Sequence, residues 1–452
     1  DNVAVGSLAL DTATTASGCT IVGKGAGTAI TTGGDNTGIG KQALENTTTG
    51  TSNTAVGKDA LEANTTASNN TAVGFKSMED NTTGDLNVAI GGNTLKSNTV
   101  GDRAVAIGYN ALQAQAPTSN TDTYNVAIGL NAMFATTTGV QNVAVGGLAL
   151  DANTTSSSNT AIGYGAMSGL TTSGGGNVAV GTNSLVACTT GDSNTAVGFE
   201  AVEKTTTGIH NTGVGYRANF TGTTGSYNVS LGNFTNDAIT TGNENVSLGY
   251  GAGSAITTGG DNISIGNNAG NTTTGSFNTY VGGDTGGNSA TANNTNVFGF
   301  GVTGETGYTT LGLTGSDIRA EHGSTTWSTV SDKRVKKDIE DSTAGLSFIN
   351  DLRPRTFNYK NKGDLPEEFK GYEKDSTEPY KFATTNHGFI AQEVKETIDN
   401  HPEIVDGFKM WSVLESGQQE VAEAALIPML VKSIQELSTQ VDELKTKLNE
   451  GE

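Results

Sequence analysis

Residues 53–74 read NTAVGKDALEANTTASNNTAVG, so that a phrase of Asn, a β-branched residue, a small residue, Val and Gly returns after 17 residues. Its closing glycine recurs at Gly6, Gly23, Gly40, Gly57, Gly74, Gly91, Gly108, Gly129, Gly146, Gly163, Gly181, Gly198, Gly215, Gly232, Gly249, Gly266 and Gly282, and all but three of the steps equal 17. Self-similarity at a fixed period of this length marks a solenoid, in which each repeat is one coil stacked on the last. The chain is therefore expected to be mainly β, with a long parallel β-roll or β-solenoid of 17-residue coils over residues 1–297.

Within the phrase the second position is Val or Thr in nearly every coil and the fourth is Val, Ile or Leu, as in Thr54 and Val56. Alternate strand residues share a face, so these two positions form one stripe, expected to face a narrow core. The small third position is expected on the opposite face, where a neighbouring subunit approaches. A second apolar pair, such as Ala43 with Leu44 or Ala60 with Leu61, reads as a short second strand closing a flattened coil. The glycine marks the bend, where positive φ or close backbone approach forbids a Cβ. In-register Asn and Thr residues are expected to form ladders between coils. At about 4.8 Å per strand, 17 coils span roughly 80 Å. So thin a coil buries little apolar surface, and association of chains is expected to supply the rest.

The 452 residues include 63 Gly and 6 Pro, carry a formal charge of −21 and are 34% hydrophobic. Such an acidic balance argues against nucleic-acid binding, which draws on Lys and Arg to displace counterions. Cys19 and Cys188 have neither disulfide-framework nor metal-ligand spacing and read as small buried residues. No apolar run is long enough to span a bilayer, and no membrane insertion is expected. The sequence opens at Asp1 in mid-phrase, so its true start is expected to lie upstream. No cofactor is expected: a Walker-type phosphate loop is absent, and His210, His322 and His401 show no metal-ligand spacing.

Near Phe298 the phrase degenerates, and residues 298–330 read as a β-rich connector. Composition then changes. Residues 331–452 hold five of the six prolines, only seven of the 63 glycines, and 16 of the 25 Lys and Arg. This is a separate, small α+β domain. Leu430, Ile434, Leu437, Val441, Leu444 and Leu448 alternate by four and three, a coiled-coil seam of about 28 Å within residues 426–448. The heptad shows association but does not choose between dimer and trimer.

The phrase with Val or Thr, Ala, Val or Ile, Gly resembles the head repeats of trimeric autotransporter adhesins, a left-handed parallel β-roll of three chains side by side. Similar repeats occur in phage tail fibres. Three further segments, Ser331 to Ile339 (SDKRVKKDI), Leu352 to Tyr359 (LRPRTFNY) and His387 to Val394 (HGFIAQEV), come in the order of another family. They resemble the C-terminal intramolecular chaperone domain of phage endosialidases, tailspikes and tail fibres. That resemblance implies a homotrimer and an autoproteolytic Ser/Lys dyad: Ser331 as nucleophile, Lys336 as general base and Val330–Ser331 as the scissile bond.

Without the resemblance a Ser and a Lys five apart carry little information. A lysine takes a hydroxyl proton only as the free amine, which burial or nearby cations favour; Arg334, with Lys333 and Lys337, is a candidate source of that field. His387 is a second candidate supporting residue, although a structural role fits it equally. The resulting expectation is a trimeric phage tail fibre or receptor-binding protein of the virion, holding a host glycan or envelope protein. The alternative is a bacterial cell-surface adhesin built from the same modules. Ice binding is disfavoured because the Thr triplets at 47–49, 136–138, 205–207 and 272–274 are irregularly spaced.

Overall fold

A Cβ on Gly57 would collide with the carbonyl of Gly74 in the next coil, and Gly57 itself sits at φ 142°. Both conditions require glycine, and they repeat along the chain, which is why the bend residue never varies. The computed structural model describes residues 1–272, 274–404 and 408–451. Thr273, in the last of the Thr triplets, lies outside the described residues. The chain falls into two compact units, Asp1–Val330 and Ser331–Glu452.

The first unit is a parallel β-solenoid in which the 17 phrase strands and three strands that follow them form one 20-stranded sheet. Strands stack in strict register, as where Thr54, Ala55 and Val56 lie beside Thr71, Ala72 and Val73. The sheet runs on past residue 297: Asn296–Phe300 pairs in parallel with Tyr308–Leu313, and Ser316–Glu321 turns back antiparallel to close that end. Nineteen of these strands run in parallel, so the stack is about 85 Å long at 4.8 Å per step. Where the glycine step lengthens to 21, the extra residues form a small bridge of Gly101–Asp102 with Thr121–Asp122.

The core face is the reverse of the one expected. Ala55, Ala72, Ala89, Ala106 and their equivalents are fully buried, while the flanking Val, Thr and Ile residues are half-buried or exposed on the outer face. Coil thickness explains this. The inward strand residue meets a leucine or methionine from the opposite wall, such as Leu44, Leu61, Met78 or Leu95, each fully buried. A Cβ on the inward Gly38 would come 3.3 Å from Leu44 Cδ1 and 3.1 Å from Ile21 Cδ1, so only a small residue fits.

The second apolar pair is likewise not a strand. Ala43 and Leu44 are both buried, an arrangement that a strand, with neighbours on opposite faces, cannot supply. Instead Gln42 and Leu44 adopt left-handed φ of 60° and 59° within a turn. Alternating handedness sends successive N–H groups up and down the stack: Gln42 N–H donates to Lys24 O and Leu44 N–H to Ala60 O.

The Asn ladder is present. Asn53 donates its side chain to Ala67 O across its own coil at 2.8 Å, and its Oδ1 accepts the N–H of Asn70 in the next at 3.0 Å. Beyond Val202 the interior changes character: Gly213, Ser230, Ser247 and Ser264 take the inward strand position, and Asn219 and Asn236 replace the leucine. Asn236 is bonded to Ser230 Oγ and Ser247 Oγ at 2.8 and 2.6 Å.

The second unit packs Phe348, Leu352, Val394, Met410 and Leu426 into its own core. It comprises helices α1 (Leu346–Asp351), α2 (Ala391–Asn400) and α3 (Ile427–Glu450), with two short antiparallel pairs, Arg355–Phe357 with Asn386–Gly388 and Trp411–Val413 with Gln419–Val421. Arg355 grips Glu393 of α2 through two bonds of 2.8 and 2.7 Å, which gives Glu393 a structural role. Pro428 sits in the first turn of α3, where its missing N–H costs nothing.

Candidate autocleavage site

Val330 ends the first unit and Ser331 begins the second. Asp332 then caps a single 3-10 turn, Lys333–Val335, its carboxylate accepting the N–H of Arg334 at 2.8 Å. The turn closes with Lys336 N–H donating to Lys333 O. That reversal is what brings two residues five apart together: Lys336 Nζ donates to Ser331 Oγ at 2.7 Å. Both side chains are exposed in the single chain. A nucleophile within hydrogen-bond reach of its base is the geometry proton transfer requires.

The other expected residues are placed differently. Arg334 turns its guanidinium onto Asp332, with Nη2–Oδ2 at 2.6 Å and Nε–Oδ1 at 3.0 Å, so its charge is matched locally. That ion pair holds the Asp332 carboxyl below the usual range. Lys337 lies 4.0 Å from Asp338. His387 sits opposite Thr356 in the strand pair, exposed, and among the described residues no hydrogen bond joins it to Ser331 or Lys336. Asp332, which shapes the turn, carried a readable signal: an Asp directly before a short helical turn is a favoured cap.

Residues 331–402 match the family model described as chaperone of endosialidase. The match to the endosialidase chaperone begins at Ser331, the residue that opens the second unit. It runs through α1, both strands of the Arg355–Gly388 pair and α2. No curated protein and no solved structure matched the chain. In the chain the matched segment follows directly on the β-solenoid unit.

Elsewhere, Cys19 and Cys188 are free and buried. Burial pushes the Cys188 thiol up to about 11. Asp59, Glu62 and Glu79 bring carboxylate oxygens within 4.8 Å of one another on the shaft. Lys58 pairs with Asp59 at 2.8 Å, and Lys76 and Lys96 with Glu79 at 2.7 and 3.2 Å, so the cluster reads as part of a charge ladder. Among the described residues no helix is long and apolar enough to cross a membrane.

Proposed function

We propose that three chains assemble side by side through the C-terminal domain, wind into a fibre shaft, and are then cut between Val330 and Ser331 by the Ser331/Lys336 dyad. The observation that carries this reading is the 2.7 Å bond between Lys336 Nζ and Ser331 Oγ at the first residues of the matched chaperone segment. In the proposed reaction the free amine of Lys336 takes the Ser331 hydroxyl proton while Oγ attacks the Val330 carbonyl carbon. The C–N bond breaks, the Ser331 nitrogen leaves as an amine carrying the proton from Lys336, and an ester joins Val330 to Ser331 Oγ. Water then hydrolyses that ester. The substrate is held by its own chain, so proximity replaces binding. A partner chain covering the exposed dyad would supply the desolvation that favours the free amine.

Association is supported by two apolar surfaces. The outer stripe of the shaft exposes residues such as Ile39, Ile90, Ile128, Val246 and Leu248, and the seam of α3 exposes Ile434, Leu437, Val441, Leu444 and Leu448. Exposed apolar residues recurring along one face are of the kind that protein interfaces cover. With the shaft core reversed from the sequence expectation, the β-branched stripe becomes the contact face between chains, and the small residues fill the inside of each. In function the shaft is a phage tail fibre that presents a receptor-binding surface to a host glycan or envelope protein. An adhesin on a bacterial surface is the second reading, favoured by the likeness of its phrase to adhesin head repeats.

Ending the chain at Val330 by a stop codon tests the chaperone role. We expect a chain that aggregates or stays monomeric by sedimentation, whereas the full-length gene yields soluble trimers; equal yields of trimer from both would remove the need for the domain.

A further inference from the structure

His401 follows the last residue of α2, and its side chain is only 8% exposed. Nδ1 lies 2.6 Å from Glu403 Oε1, and Nε2 lies 2.8 Å from Asp351 Oδ2 at the end of α1. The ring stands edge-on to Phe348, with centroids 5.3 Å apart. An ionised carboxylate oxygen only accepts, so satisfying both contacts requires an N–H on both ring nitrogens, which is the imidazolium form. At the other end of α1 the N–H of Leu346 donates to Glu436 Oε2 of α3 at 2.8 Å. α1 is thus fastened at one end to the seam helix and at the other to His401.

We propose that His401 is a pH-operated latch: its charged ring locks the end of α1 against α2, keeps α1 as the seat of α3, and lets go when the ring loses its proton. Among the described residues the charged groups facing the ring are Asp351 from α1 and Glu403 from the segment after α2. Lys395 and Asp399 of α2 pair with each other, and Arg355 is taken up by Glu393. The hydrogen bond and charge of Glu403, seconded by Asp351, hold the ring above its ordinary range. The sign follows: the latch is complete below about pH 6.5, the ordinary histidine value, and is lost as pH rises through the higher folded value. This inference concerns the fold of the domain and stands apart from cleavage at Val330.

The test uses the full-length chain carrying Ser331→Ala, so that it stays in one piece, with labelled histidines titrated by NMR from pH 5 to 10, together with hydrogen exchange of α1 at pH 6 and pH 9. We expect the His401 signal, assigned by its loss in His401→Gln, to titrate above the ordinary histidine value, and α1 protection with His401 in place to fall at least tenfold at the higher pH. A His401 ring that titrates at its ordinary value, or α1 protection that changes equally with His401 in place and in His401→Gln, would overturn the proposal. Should that variant not fold, Glu403→Gln serves: it is expected to lower the titration point of the ring, and no change would overturn the latch.

Discussion

Asn142 shows how single residues hold the coils together. Its Nδ2 donates to Ser156 O at 2.9 Å and its Oδ1 accepts the N–H of Asn159 at 3.0 Å, both within the buried interior. Asn142→Ala leaves a buried donor with no partner, and we expect a loss of about 1–3 kcal/mol in denaturant unfolding of the shaft. Gly57→Ala meets both left-handed φ and a backbone collision; its cost is expected to exceed about 3 kcal/mol and to appear as lost soluble shaft. Cys188, buried with a thiol near 11, should resist a thiol reagent at pH 8 until the shaft is unfolded, when labelling should become complete. The bend glycines and the Asn ladder were legible in the sequence because each has one physical cause that repeats. Asp351, Glu403 and His401 were not, because two of the three are 50 residues apart and meet only through the packing of α1 on α2.

At the scale of elements, period-2 alternation told which strand residues share a face but not which face is inside. Val and Ile outrank Ala in hydrophobicity, which favours them as core, yet where a leucine or methionine fills the opposite wall only the smaller residue fits; Ile21, buried at the same strand position, faces Gly27 instead. The pair Ala43 and Leu44 misleads for a related reason: left-handed residues let adjacent side chains point the same way, and nothing in a Leu announces positive φ. The seam of α3 is the opposite case, since heptad spacing was visible and the structure leaves those residues exposed in the single chain. Ile434→Asp together with Leu437→Asp should convert the assembled species to monomer in sedimentation velocity. Helix content of α3 is expected to be partly retained through its contacts with α1.

For the whole molecule, near-identical coils pose a problem of register, because a slip by 17 residues replaces most side chains by their equivalents. Polar positions such as Asn236 with Ser230 and Ser247 break that degeneracy inside a chain, and in the proposed function the C-terminal domain aligns chains with one another. The proposed cut after winding would remove the path back, leaving a shaft whose lifetime depends on its unfolding rate. Intact-mass spectrometry of the purified full-length product beside Ser331→Ala and Lys336→Ala tests this most directly. Wild type is expected to give two fragments, one ending at Val330 and one beginning at Ser331, with both variants uncut. An intact wild-type chain, or the same cut in the Ser331→Ala variant, would contradict it.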